Sequence, residues 1–237
     1  MPNYTLNILT INSNKKTVKK ILSDIKTKNT VIDFDKIIPQ PDCIKKTYPT
    51  SGRTADVAQQ IWDKCKKENK ANKDSFVSIL TSDEYKEERN RWDAFATSFL
   101  AKNPNYIPKT PGENYAEKFN DGVMKFLPNL EETGYADWYG WCRANWGTKW
   151  NACDPEVIDD NIIEFYTAWA PPLPIFFALA KKYQDAEFIV EINDECDPYV
   201  VTMRFAYDKK TNTVKDEFLG RERAYDDDDI EKNTKEA

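Results

Sequence analysis

Apolar and polar positions change their spacing several times along this chain, and the changes mark out its elements. In "YTLNILTI", Tyr4 to Ile11, the two kinds alternate. Leu6 and Ile8 fall on one face, and Leu9 and Ile11 after a shift, which predicts a strand. In "NSNKKTVKKILSDIKT" the spacing lengthens. Val18, Ile21, Leu22 and Ile25 stand at i, i+3, i+4 and i+7, with lysines on the other face and Ser13 or Asn14 available as a cap, so a helix follows. "VIDFDKIIPQPD", Val31 to Asp42, is apolar and acidic and runs into two prolines, the mark of a short strand or loop.

A long helical stretch comes next. "TADVAQQIWDKCKKENK" sets Val57, Ala58, Ile61, Trp62 and Cys65 on one stripe. "SFVSILTSDEYKEERNRWDAFATSFLAK" reads as a second helical region, "NPNYIPKTPG" breaks it, and "ENYAEKFNDGVMKFLPNL" and "EETGYADWYGWCRANWG" read as two shorter helices. Period-two spacing then returns. "NWGTKWNA" alternates Trp146, Thr148 and Trp150; "NIIEFYTAWA" alternates Ile163, Phe165 and Thr167; "AEFIVEIND" alternates Phe188, Val190 and Ile192. Between the last two, "PPLPIFFALAKKY" is a helix with prolines in its first turn. "YVVTMRFAYD" and "TVKDEFLGRERA" are late strands. Without the helical stretch the order is β-α-β-β-α-β plus extra strand, the order of a ferredoxin-like antiparallel sheet with both helices on one face, an α+β fold. The expected domains are an α+β domain from residues 1–43 and 141–225, a helical insertion over 44–140, and an acidic mobile tail over 226–237.

Composition narrows the chemistry. There is no histidine among the 237 residues, which removes His-dependent triads, His-bound zinc and the commonest general base. The five cysteines are odd in number and include no Cys-x-x-Cys pair, as in a reduced protein without a zinc signature; Cys153 and Cys196 approach only if their strands are neighbours. The seven glycines form no phosphate-cradling loop, so no ATP, GTP or NAD motif is present. The net charge of −6 opposes broad phosphate binding and suits a basic partner surface. No apolar run is long enough for a membrane helix, and the start of the chain lacks a signal-peptide pattern. The expectation is a non-enzymatic protein of the cytoplasm, with no cofactor and no metal.

Four separated blocks carry a resemblance: "MPNYTLNILTI", "IDFDKIIPQP", "ANWGTKWNACD" and "IEFYTAWAPPLPIFFALAKKYQDAEF". In this order they resemble the YubB-type family of plasmid- and prophage-borne proteins, with "NWGTKW" and "TAWAPPLP" the most specific. The resemblance covers residues 1–42 and 141–207. It implies a ferredoxin-like fold and a mobile-element origin, and it transfers no catalytic residue. Proteins of that origin often act on host defence machinery, CRISPR effectors included.

Two candidate surfaces follow. The first is a partner-binding surface for a host protein, with a nucleic-acid-handling defence effector as the expected partner. It uses Glu84, Glu87, Glu88, Arg89, Arg91 and Trp92 of the insertion and Asp226, Asp227, Asp228 and Asp229 of the tail. Tyr, Trp and Arg anchor interfaces, and carboxylates can occupy sites built for phosphates. The alternative is a stacking platform for single-stranded nucleic acid, with Trp138, Trp141, Trp146 and Trp150 under the bases and Arg143 and Lys149 on the phosphates. The same tryptophans would otherwise brace the sheet against its helices. A third reading, an Mg²⁺-dependent nuclease built on Asp154, Glu156, Asp159 and Asp160, competes with a solvated turn.

Overall fold

The computed structural model describes residues 3–48, 52–102 and 115–224. The tail acids Asp226, Asp227, Asp228 and Asp229 lie outside them. The described residues within 1–40 and 142–237 form one compact unit, and those within 41–141 form the other.

The first unit is built on a six-stranded antiparallel sheet. Its strands are β1 (Tyr4–Asn12), β2 (Cys153–Asp159), β3 (Ile162–Ala168), β4 (Glu187–Asp194), β5 (Tyr199–Asp208) and β6 (Thr213–Arg223), in the order β2-β3-β1-β4-β5-β6. The first four strands, with helices α1 (Lys15–Ile25) before β2 and α10 (Leu173–Lys182) before β4, give the ferredoxin-like order; β5 and β6 extend it. β2 is separated from β4 by β3 and β1, so Cys153 and Cys196 do not lie on neighbouring strands, and none of the five cysteines forms a disulfide.

One sheet face carries the core. Leu9, Ile11, Ile163, Phe165, Phe188, Val190, Ile192 and Phe205 are all buried on it. α10 covers this face. Its Phe176 ring lies 6.5 Å from Phe165 and 5.4 Å from Phe205. Just past α10, the Tyr183 hydroxyl donates to Asp24 of α1 at 2.8 Å, which ties the two helices together. The Lys20 ammonium, helped by that bond, holds the Asp24 carboxyl below its usual range.

Three expectations change here. β1 has no shift: Thr5, Asn7, Leu9 and Ile11 all point into the core, and Leu6 and Ile8 lie on the other face. Two polar residues therefore occupy core positions. Asn7 Nδ2 donates to the Thr5 carbonyl at 2.9 Å and to Thr167 Oγ1 at 3.0 Å, and the Thr5 hydroxyl donates to Asp194 at 3.1 Å; of these groups Asn7 Oδ1 alone is left without a partner. "NWGTKWNA" is not a strand. It is a looped corner, and β2 is the acidic segment that follows it. An edge strand needs only one hydrogen-bonded flank, so it tolerates the proline and acids of "CDPEVID". "VIDFDKIIPQPD" contains one helical turn, α2 (Phe34–Ile37), started by Asp33 Oδ1 accepting from the Asp35 N–H at 3.0 Å.

The second unit is helical: α3 (Asp42–Lys45), α4 (Arg53–Lys67), α5 (Lys73–Thr81), α6 (Lys86–Lys102), α7 (Tyr115–Met124), α8 (Leu127–Thr133) and the start of α9 (Trp138–Asn145). The predicted stripe of α4 is buried against Phe76, Leu80, Phe119, Val123 and Leu130, so this unit has its own core. The helical region expected over residues 75–102 is broken at Ser82. The Arg89 guanidinium turns back to the carbonyls of Leu80, Thr81 and Ser82 and satisfies the end of α5.

Asp137 starts α9, its Oδ1 accepting from the Gly140 N–H at 3.1 Å while the residue is buried. Burial pushes its carboxyl pKa above the ordinary value, against the pull of that N–H. The folded state therefore holds this proton more tightly than the unfolded state. Its ionised form costs stability at neutral pH, and the cost disappears as pH falls through the raised pKa. Asp137→Asn keeps the capping oxygen and removes the charge. Urea denaturation should find it more stable than the parent at pH 7, with the gap closing in acid. A less stable variant at pH 7 would show that the carboxylate charge itself is needed.

Candidate functional site

The distinctive sequence blocks meet at one end of the sheet. Trp146 is buried, and its indole N–H donates to the Ile38 carbonyl at 2.9 Å while its ring stands edge-on to Phe34 at 5.9 Å. Gly147 has φ +80°, and a Cβ there would lie 2.7 Å from Pro174 Cδ, so the corner closes over "PPLP" only with glycine. Thr148 donates to the Ala168 carbonyl at 2.9 Å. Asn151 Oδ1 accepts from the Phe34 N–H at 2.9 Å, and its Nδ2 donates to Asp33 Oδ1 at 2.7 Å. "IDFDKIIPQP", "NWGTKWN" and "TAWAPPLP" are thus one interlocked structure.

Lys149 and Trp150 complete the corner. The Lys149 ammonium lies 4.5 Å from the Trp150 ring centroid and 4.7 Å from that of Trp169. Trp169 is 43% exposed and sits at φ +73°, a conformation unusual for a bulky side chain, with its N–H donating to the Asn3 carbonyl at 2.8 Å.

The outward sheet face begins beside this corner. Tyr4 and Tyr166 stand edge to face at 6.5 Å on neighbouring strands, and with Leu6 they floor a depression of about 520 Å³. The turn from Asp194 to Pro198 walls it. Asp194 accepts from buried Thr5 Oγ1 at 3.1 Å and from the Cys196 N–H at 2.9 Å. Asp197 takes both contacts of Arg221, at 3.0 and 2.9 Å, and the guanidinium lies 4.1 Å over the Tyr199 ring. One row further along the sheet the register sets Glu156 opposite Glu164, Glu164 opposite Ile8, and Ile8 opposite Glu191. No cation occupies that row from β2 to β5, where Thr202 follows Glu191.

The expected site residues fall as follows. Trp138, Trp141 and Trp146 are buried and present no free ring face to a base. Trp150 is half-buried beside Lys149, whose ammonium lies against two indoles, and Arg143 is exposed on α9. Of the acids in the helical unit, Glu84 pairs with Lys64, and Glu88 pairs with Arg53 and reaches Arg91 at 3.6 Å. Glu87 is 3.8 Å from Arg91. Arg89 serves the end of α5, and the side chain of Trp92 lies outside the described residues. Asp154, Glu156, Asp159 and Asp160 lie on or beside edge strand β2, and no group of three metal-ligating side chains occurs among the described residues. Sequence reading passed over Tyr4, Tyr166, Glu164 and Glu191. Tyr166, Glu164 and Glu191 occupy the polar phase of strands whose apolar phase was read correctly, Tyr4 begins the strand whose phase was misread, and only strand register brings the four together.

Gly147→Ala combines a left-handed backbone with a clash against Pro174. It should cost about 2–4 kcal/mol by chemical denaturation. A loss below measurement error would show that the corner yields.

Residues 145–235 match the family model described as the ferredoxin-like domain in Api92-like protein. No curated protein matches the chain. A crystal structure of protein api92 from Yersinia pseudotuberculosis aligns over 93% of this chain and 99% of its own, at 11% identity and a TM-score of 0.39. The fold itself rests on the strand order. Residues 145–235 of this chain are similar to the ferredoxin-like domain of Api92-like protein, and that stretch holds the Trp corner and every strand but β1.

Proposed function

We propose that this chain is a non-enzymatic binding protein of a mobile element. It docks the outward face of its sheet on a basic, nucleic-acid-contacting surface of a host defence effector such as a CRISPR nuclease. One observation carries the reading: Glu156, Glu164 and Glu191 lie in one cross-strand row beside the Tyr4 and Tyr166 rings, with Glu156 directly opposite Glu164. Like charges set opposite one another destabilise a sheet. A partner's Lys or Arg side chains would relieve that repulsion, and the tyrosine rings offer faces for their cations. Nucleic-acid phosphates would meet the same row with repulsion.

The mobile-element setting rests on the YubB-type resemblance of the four sequence blocks alone. The chemistry does not depend on it. A surface that offers carboxylates where phosphates would go competes with nucleic acid for the same arginines and lysines.

The test uses a panel of purified RNA-guided nucleases, each with its guide, with binding measured at several salt concentrations with and without target DNA. Binding to at least one nuclease, weakened by salt and by DNA, is expected. Glu164→Lys with Glu191→Lys should weaken it about tenfold or more. Glu164→Lys alone should raise stability by about 0.2–1 kcal/mol, because it turns a repulsive pair into an attractive one. Affinity for oligonucleotides, with none for any nuclease, would overturn the reading.

A further inference from the structure

β6 closes one side of the sheet. Among the described residues it pairs with β5 alone, so its outer edge is not covered by another described strand. Phe218 and Leu219 stand at its middle, 63% and 47% exposed. A bulge brings them together. Met203 is opposite Phe218 and Thr202 is opposite Gly220, so Leu219 is an extra residue that doubles Phe218 opposite Met203.

The charges around this pair have a symmetry. Lys215, Asp216 and Glu217 precede it; Arg221, Glu222 and Arg223 follow. Laid antiparallel against a second copy about a two-fold axis between Phe218 and Leu219, the strand sets Asp216 opposite Arg221 and Lys215 opposite Glu222. In an unbroken strand this register would fail, because Phe218 and Leu219 would lie on opposite faces. The bulge removes the conflict. Asp216 and Arg221 pair with Phe205 and Val201, which share one sheet face, while Lys215 and Glu222 pair with Ala206 and Val200, which share the other.

We propose that β6 is a self-complementary edge, and that two copies of this chain pair along it, antiparallel, into one continuous sheet. The two-fold axis makes every contact twice. The exposed Phe218 and Leu219 become the dry centre, and the charge pairs flank it. Lys215 and Arg221 already contact Asp208 and Asp197 within one copy. Those are surface pairs, so sharing them across the edge costs little. The pairing is independent of what the outward face binds.

Analytical ultracentrifugation of the full chain over a wide concentration range tests this. The expected result is a reversible dimer. Asp216→Arg alone and Arg221→Asp alone should each weaken it about tenfold or more, since each sets like charges opposite one another twice. An equimolar mixture of the two variants should dimerise again, because in the mixed pair every contact is once more between opposite charges. Lys215→Glu and Glu222→Lys repeat the experiment away from Asp197, in case that contact is needed for folding. A chain that stays monomeric at all concentrations, or a dimer indifferent to these reversals, overturns the proposal.

Discussion

β1 is hydrogen-bonded on both sides, to β3 and to β4, and a strand so held must send alternate residues to opposite faces. The rest of the first unit follows from that constraint. Thr5, Asn7, Leu9 and Ile11 go inward, where they meet the Phe-rich surface that α10 covers. Tyr4, Leu6, Ile8 and Thr10 go outward, where they meet Tyr166, Glu164 and Glu191. Register also decides the price of each choice. The inward polar pair is tolerated because the Asn7 amide reaches the Thr5 carbonyl and Thr167, and the Thr5 hydroxyl reaches Asp194. The outward glutamates are tolerated because they keep contact with water.

The corner at residues 146–152 does for the end of the sheet what β1 does for its middle. Trp146 and Asn151 tie the corner to residues 33–38, and Gly147 and Thr148 fit it to residues 168–174, each by a different means: an indole donor, a side-chain amide with two faces, a missing Cβ, a short hydroxyl. A loop so over-determined places Lys149, Trp150 and Trp169 without freedom to drift, and it borders the Tyr4 and Tyr166 face. A binding surface gains from such a support, because little ordering remains to be done when a partner arrives.

The acidic row uses its charges differently from the ion-paired surfaces of both units. In the helical unit, carboxylates face cations: Glu84 with Lys64, Glu88 with Arg53, Glu87 with Arg91. Such pairs keep a helical surface soluble and contribute little each. On the sheet, Glu156, Glu164 and Glu191 have carboxylates, isoleucine and threonine as register partners. Unbalanced charge on a rigid face, rather than the number of charges, is the feature that distinguishes a docking surface from a merely hydrophilic one.

Much of this protein was legible in its sequence. Period-two and period-3.6 spacing are local properties, so β1, β3, β4, β5, β6, α1, α4 and α10, and the ferredoxin-like order they compose, could be read from neighbours alone. The misread segments were those whose local signals were overruled by distant partners. "NWGTKW" has the alternation of a strand, but Gly147 must turn beneath Pro174 and Trp146 must reach Ile38. "CDPEVID" has the polarity of a turn, but β3 supplies its backbone partners. The acidic row on the outward face and the charge symmetry of β6 depend on which residues stand opposite one another, and β6 depends further on one bulge. Sequence by itself determined which residues alternate and which spiral, because those patterns need only the adjacent backbone. Only the tertiary structure decided which polar residues stand together, because register is a relation between strands far apart in the chain, 189 positions for Thr5 and Asp194.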